Sequence, residues 1–224
     1  MNPRSIVAAV ALVALPLAAC GQSCRRQGAA LLGFEGEIEL HLGMSPAGAM
    51  GPLVFSIKGD RLRVEMKGAP ISFVYVIDSS KHVSYLIDDA AKKYTRIALT
   101  DPSAADASAA VSASPPRKTG TGVVAGHPCT VYESSMSSGL TTMRSEWCMA
   151  EDLGSPMLGP LGKLVGGGTP FTMFGGSGFP LRMRTYDGAG ALLYSMEATR
   201  VERRSEPDSL FEPPPGYAST DAGI

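Results

Sequence analysis

The chain has 224 residues, a formal net charge of −1 and 44% hydrophobic residues, the composition of a globular protein that can bury a sizeable core. Its lysines and arginines are scattered, so it lacks the basic stripe of a nucleic-acid binder, and we expect no nucleic-acid partner. The 26 glycines and 17 prolines, with only 7% aromatic residues, favour many turns over long helices.

Residues 1–19 have the pattern of a secretory signal peptide. Arg4 lies in a short polar start, and the apolar run that begins at Ile6 is too short to span a bilayer. The run ends in Leu17-Ala18-Ala19-Cys20, which resembles the bacterial lipobox. That resemblance implies cleavage before Cys20 and a diacylglyceryl group on its thiol. The alternative is a plain signal peptide followed by a chance cysteine.

A lipid on Cys20 would anchor the protein to a membrane of the cell envelope, facing the periplasm or the outside. Gly21 follows the cysteine at the position where lipoproteins retained in the inner membrane of enteric bacteria carry Asp. The resemblance therefore indicates the outer membrane. Residues 20–33 are polar and small at first and then mildly apolar, and we interpret them as a tether.

Regular structure is predicted to begin at Phe34. Between residues 34 and 42, apolar side chains or glycine alternate with charged residues or histidine, which is typical of a strand with one buried face. Residues 44–52 form a turn rich in glycine and proline, and Gly59-Asp60 predicts a hairpin turn. The pattern predicts an antiparallel meander with further strands at 53–58, 61–67, 72–78, 82–87 and 93–99.

Composition changes abruptly at residues 101–114, which are almost all Ala, Ser and Asp and are followed by Pro115-Pro116. We interpret residues 101–116 as a flexible linker, with a short alanine-rich helix as the alternative. Beyond it the predicted strands are 121–125, 129–133, 140–148, 180–186 and 192–203, with a turn at 134–139. The proline-rich stretch 212–217 is expected to end regular structure and to leave 218–224 as a tail.

Cys129 and Cys148 are predicted to form a disulfide. If Ser138-Gly139 is the centre of the hairpin turn, the two cysteines face one another across neighbouring strands, within the reach of a disulfide bond. In the same register, Glu133 faces Arg144 and Val131 faces Glu146. The alternatives are metal binding and nucleophilic catalysis, but the chain has no CxxC spacing and His127 has no plausible second ligand nearby in sequence.

We find no catalytic motif and expect a protein that is not an enzyme and needs no cofactor or metal. The three histidines, His41, His82 and His127, occupy polar or turn positions. Gly175-Gly176-Ser177-Gly178 lacks the setting of a nucleophile elbow, and Gly162-Lys163 lacks the rest of a phosphate-binding loop. The paired acidic residues lie in turns, where solvation explains them better than acid–base chemistry.

Residues 153–179 depart from the strand pattern. They combine many glycines with a set of large apolar residues that suits a movable lid over a hydrophobic cavity. The alternative is a plug that permanently covers one face of a curved sheet. The residues expected to form the lid's apolar side are Met157, Leu161, Leu164, Phe171, Met173 and Phe174.

Several segments together resemble an uncharacterised family of bacterial envelope proteins that is itself similar to the LolA/LolB lipoprotein carriers. The resemblance covers residues 34–217 and rests on stretches that include Val124–Tyr132, Glu146–Leu153, Phe179–Met183 and Ser209–Tyr217. It implies a mainly β fold, a curved and unclosed antiparallel half-barrel with a short helical or loop lid. In the carriers, the concave surface holds acyl chains.

Two functions follow as hypotheses. One is a membrane-anchored periplasmic lipoprotein that binds a lipid, an acyl chain or another apolar ligand in the concave face. The other is an envelope structural or signalling protein that uses the curved sheet to bind a protein partner and holds no ligand. A cavity lined by the sheet would favour the first function, and a packed interior would favour the second.

Overall fold

The computed structural model describes residues 34–46, 48–68, 72–99, 112–138, 141–154 and 178–221. They form one sheet of fourteen strands and two short 3-10 helices, at Glu151–Leu153 and Asp208–Phe211. Within these residues, no helix is long and apolar enough to cross a membrane. The strands are β1 (Gly36–Met44), β2 (Gly48–Ala49), β3 (Leu53–Lys58), β4 (Arg61–Met66), β5 (Phe73–Asp78), β6 (Val83–Asp88), β7 (Lys93–Ala98), β8 (Ser112–Ala113), β9 (Arg117–Val124), β10 (His127–Ser138), β11 (Thr141–Ala150), β12 (Phe179–Tyr186), β13 (Leu192–Arg203) and β14 (Ala218–Asp221).

The strands follow one another in space in the order β14-β7-β6-β5-β4-β3-β1-β13-β12-β11-β10-β8, with β2 beside β1 and β9 beside β10. All described pairs are antiparallel except β14 with β7. The two ends of this order are not paired with each other, so the described sheet is not closed. The predicted fold class, a mainly β and unclosed antiparallel half-barrel, is confirmed.

Two phenylalanines that pack together in the main core show how strongly the sheet is curved. Phe55 on β3 and Phe179 on β12 are three strand positions apart, which would separate them by about 14 Å in a flat sheet. Their ring centroids are 5.6 Å apart, with the rings edge to face. The sheet therefore curls until side chains from its two halves meet, and β9 likewise contacts β13.

The first half of the meander follows its sequence pattern closely. In β1, Ile38, Leu40 and Leu42 are buried in the core, whereas His41 between them is exposed. Gly59-Asp60 joins β3 to β4 as a two-residue turn, and Gly59 has the positive φ of 60° that such a turn requires. Alternation is clear in β1 and β4 because one face of each strand packs in the core and the other does not, whereas β5 is buried on both faces.

The second half departs from the prediction in length and register. β10 continues to Ser138 through the predicted turn at 134–139, and β9 begins at Arg117 rather than at residue 121. Val131 pairs with Cys148, and Glu133 pairs with Glu146, so the predicted hairpin register is wrong by two residues. A shift of two keeps every side chain on its predicted face, because the side-chain period of a strand is two.

Cys129 and Cys148 form the predicted disulfide, with Cα atoms 5.3 Å apart. They are not directly opposite as predicted but are diagonal neighbours on one face, because Cys148 is opposite Val131. Both cysteines are buried in the main core cluster. The bond closes a sequence separation of 19 residues and is expected to stabilise the fold by about 3 kcal/mol in the loop-entropy picture.

The C-terminal region is more ordered than the sequence indicates. Residues 204–217, which we call the C-terminal strap, cross the outer face of the sheet, where Phe211 is buried against Val74, Val76 and Ile87. After the prolines, β14 adds a parallel strand to the edge of β7. The prediction that regular structure stops at residues 212–217 is therefore wrong.

The predicted linker and lid are only partly within the described residues. Ser112–Ala113, expected to be linker, pairs with β10 as β8, whereas residues 101–111 lie outside the described residues. Leu153 and Phe179, the two ends of the predicted lid, are buried in the core with 1% and 0% exposure. Each end of this segment is therefore part of the core rather than of a movable cover.

Candidate functional site

A row of large apolar side chains crosses five neighbouring strands on one face of the sheet. Successive members are paired directly in the ladders of β10, β11, β12, β13 and β1, and directly paired residues share a face. We call this set the apolar row; it consists of Tyr132, Trp147, Met183, Met196 and Leu42. Leu42 and Met196 belong to the main core, so the row lies on the concave face at that end. At the other end, Trp147 lies on the face of β11 opposite to Cys148, which is itself a main-core residue.

Trp147 lies near the middle of the apolar row and is 1% exposed. It packs with Met149, Tyr132 and Met183, and Met183 also contacts the main core. Both faces of β11 are buried between Trp147 and Ala150. A strand that is buried on both faces indicates that other residues pack against both faces of the sheet at this end.

A second row of paired residues runs beside the apolar row, two positions along each strand, and carries hydroxyl groups. It consists of Ser134, Ser145, Thr185 and Tyr194, and we call it the hydroxyl row. Ser134 and Ser145 are 3% and 2% exposed. The hydroxyl groups of Ser145 and Thr185 are hydrogen-bonded at 3.0 Å, whereas the buried Ser134 Oγ has no hydrogen-bond partner among the described residues.

Tyr194 ends the hydroxyl row at β13. Burial raises the pKa of its phenol, so the group is neutral at physiological pH and can both donate and accept a hydrogen bond. The two rows contain no Asp, Glu, Lys, Arg or His. The two rows thus combine neutral hydroxyls with thioether and aromatic groups on one face of these strands.

The charged residues of the same strands lie on the opposite face. Arg184 contacts Glu197 at 3.2 Å, and Arg182 contacts Glu146 at 3.4 Å. A groove of about 620 Å³ on this outer face runs between β3, β4 and the C-terminal strap. Its charged walls are already paired, for example Arg63 with Glu65 at 2.8 Å and Arg204 with Glu37 at 2.7 Å. The outer groove therefore offers no free charge among these described residues to a ligand.

Only some of the site residues predicted from the sequence lie within the described residues. Cys20 and the six lid residues Met157, Leu161, Leu164, Phe171, Met173 and Phe174 lie outside the described residues. Of the histidines, His41 is exposed and His82 occupies a turn, while His127 is 3.2 Å from Asp152. Within the described ranges, no group of three or more His, Cys, Asp or Glu residues could hold a metal ion.

The apolar row and the hydroxyl row were not predicted from the sequence. Trp147 and Met183 each fall inside a predicted strand, but nothing local indicates that they are paired neighbours. The one available signal was Trp147 itself, the only tryptophan of the chain, beside a predicted disulfide cysteine. Hydroxyl residues at alternate positions of β10 and β11 are equally consistent with a solvent-exposed face.

A family model described as a domain of unknown function, DUF4412, matches residues 34–217. No curated protein matches the chain. Among solved structures, an uncharacterised conserved protein from Thermus thermophilus is 11% identical, with a TM-score of 0.49, over 89% of this chain and 99% of that one. A chain of the MucA/MucB complex of Pseudomonas aeruginosa is 12% identical, with a TM-score of 0.47, over 84% of this chain and 59% of that one.

A third similar structure, PNGF-II, is 17% identical with a TM-score of 0.44. The match covers 83% of this chain and 30% of that one, so the chain spans less than a third of that protein. All three TM-scores lie below 0.5, so these likenesses carry no inference about function. The family match covers most of the chain and identifies a family without assigning an activity to it.

Proposed function

This chain belongs to the DUF4412 family, and we propose that it is a non-enzymatic envelope protein that binds a lipid or another apolar ligand on its concave face. The apolar row is the observation that carries this proposal. It aligns two aromatic rings, two methionines and a leucine across five strands, so an extended hydrocarbon chain could contact all five side chains at once. Thioether side chains adapt to ligands of irregular shape, which suits such a surface.

The expected location supports an apolar ligand. A disulfide between Cys129 and Cys148 is characteristic of oxidising compartments, including the periplasm. The lipobox resemblance at Cys20 adds a lipid anchor, and Gly21 favours the outer membrane. A protein tethered there by its own lipid would work within a short distance of exchangeable membrane lipids.

Residues 153–179 are proposed to cover the concave face. Their ends at Leu153 and Phe179 are fixed in the core, so any opening would be confined to the residues between them. Met157, Leu161, Leu164, Phe171, Met173 and Phe174 would form the apolar side of this cover. Its release would uncover the apolar row to a ligand, and its return would exclude water.

Trp147 provides a direct test of this function, because it is the only tryptophan and belongs to the apolar row. Stearic acid and its methyl ester, each carrying a nitroxide spin label on the chain, are titrated into delipidated protein while tryptophan fluorescence is recorded. We expect saturable quenching by at least one of the two. Met183→Gln should weaken binding about tenfold, since losing one apolar contact of about 1.4 kcal/mol has that effect.

Val123→Gln is the matched control, because Val123 is an apolar strand residue with 69% exposure that lies outside the row. It should bind the probe as the wild type does. If neither probe quenches Trp147 in the wild type, the concave face is a closed core. In that case the alternative function applies, in which the sheet binds an envelope protein partner and no ligand.

A further inference from the structure

We infer that the site formed by the two rows selects a neutral acyl ester over an ionised carboxylate or phosphate, with the hydroxyl row binding the ester carbonyl. This inference rests on the proposed function, whose apolar row would bind the acyl chain. Ser134 is the residue that carries it. Its Oγ is buried and has no hydrogen-bond partner among the described residues.

A buried hydroxyl without a partner is costly, because folding removes its bond to water and supplies nothing in return. Such groups are uncommon in folded proteins and call for a specific explanation. Ser134 is directly opposite Ser145, whose own hydroxyl is already bonded to Thr185 at 3.0 Å. Ser134 is therefore a buried member of this described row whose hydroxyl can still donate to a ligand oxygen.

The two rows have the spacing and length of an amphiphile. They are two residues apart along each strand, which is about 7 Å. The apolar row spans four strand spacings, at most about 19 Å, compared with about 15 Å for the acyl chains of one leaflet in a bilayer core about 30 Å thick. A long acyl chain could therefore lie across the strands with its polar end beside Ser134.

The charge of the surroundings decides which polar end fits. None of the row residues is cationic. The nearest cation along the ladders is Lys118, which is opposite Tyr132 on β9 and is exposed, whereas Arg182 and Arg184 lie on the other face, where they contact Glu146 and Glu197. An ionised carboxylate or phosphate beside the buried Ser134 would lose its water and find no cation within the two rows, which is unfavourable. An ester carbonyl needs only a hydrogen-bond donor, and Ser134 supplies one.

The test compares spin-labelled stearic acid with its methyl ester at pH 8, where the acid is ionised, using Trp147 quenching. We expect the wild type to bind the ester at least about tenfold more tightly than the acid. Ser134→Ala should weaken ester binding by about three- to tenfold, the usual effect of losing one hydrogen bond. Its thermal stability without ligand should not fall, because the change removes an unsatisfied group.

Ser137→Ala is the matched control, since Ser137 lies on the opposite face of the same strand and contacts Thr142 at 3.2 Å. It should leave the affinity for both probes unchanged. Ser145→Ala provides a second variant in the hydroxyl row if Ser134→Ala proves unstable. Equal affinity of the wild type for acid and ester, or unchanged ester affinity in Ser134→Ala, would overturn the inference and leave the proposed function standing if Trp147 is still quenched. If neither the acid nor the ester quenches Trp147, both the proposed function and this inference are wrong.

Discussion

Gly36 is a position where the fold excludes any side chain. It begins β1 opposite Arg203 and has a φ of 146°, a conformation that residues with a Cβ rarely adopt. A Cβ built there would overlap the carbonyl oxygen of Glu202 on the neighbouring strand. The close approach of β1 and β13 beside Arg203 therefore depends on this glycine.

We predict that Gly36→Ala lowers the free energy of unfolding by about 3 kcal/mol, because it combines backbone strain with a clash against main chain. Gly120→Ala on β9 is the control, since a Cβ there would meet nothing within 4 Å. It should change stability by roughly 0.5 kcal/mol or less. Urea unfolding of both variants measures the difference, and similar midpoints for the two would contradict the role assigned to Gly36.

The C-terminal strap is the element that covers the outer face of the sheet. Asp208 attaches it through Arg61 at 2.6 Å and Lys58 at 2.9 Å, and the Arg61 guanidinium lies over the ring of Phe211. Hydrogen bonds from Lys58 and Arg61, together with their positive charges, lower the pKa of Asp208 to about 2. These contacts join two strands of the meander to a segment about 150 residues later in the chain.

The lowered pKa of Asp208 predicts an acid-dependent weakening of the strap. Because the folded state has the lower pKa, the contribution of Asp208 is complete above its ordinary pKa of 3.8 and is lost as the pH falls toward about 2. Asp208→Asn should therefore lower the unfolding temperature slightly at neutral pH and reduce its decline between pH 4 and pH 2. High salt should diminish the effect, since the pair is exposed.

Asp60→Asn serves as the control for this prediction, because Asp60 is an exposed carboxylate in the neighbouring turn. It should reproduce the wild-type decline between pH 4 and pH 2. The measurement is the unfolding temperature of the three proteins against pH. Parallel curves for the wild type and Asp208→Asn would show that the strap is not held by this carboxylate.

For the whole molecule, the proposed function depends on attachment to a membrane through Cys20. We predict that Cys20→Ser abolishes incorporation of a palmitate analogue and leaves the protein uncleaved or soluble, because serine lacks the thiol that receives the lipid. Cys24→Ser is the control and should retain the label. Equal labelling of the wild type and Cys20→Ser would contradict a lipid anchor at this cysteine.

Much of the fold could be predicted from local pattern. The alternation around Ile38, Leu40 and Leu42 predicted β1 and its buried face, because burial of one strand face imposes period two on the sequence. The disulfide pairing was predictable for a related reason, since Cys129 and Cys148 share a face in any register shifted by an even number of residues. The register itself could not be predicted. Val131 pairs with Cys148 because β10 and β11 extend to Ser138 and Thr141, through the residues where the turn was predicted.

The sequence by itself determined the β-rich class and the pairing of the cysteines, which follow from local periodicity and residue type, and a short motif predicts the envelope location. Only the tertiary structure decided which residues become neighbours across strands. Tyr132 and Leu42 are 90 positions apart, and they belong to one row because five strands pair in a particular register and the sheet curls. The unsatisfied hydroxyl of Ser134 arises in the same way, since its burial depends on what packs around it and not on its neighbours in the chain.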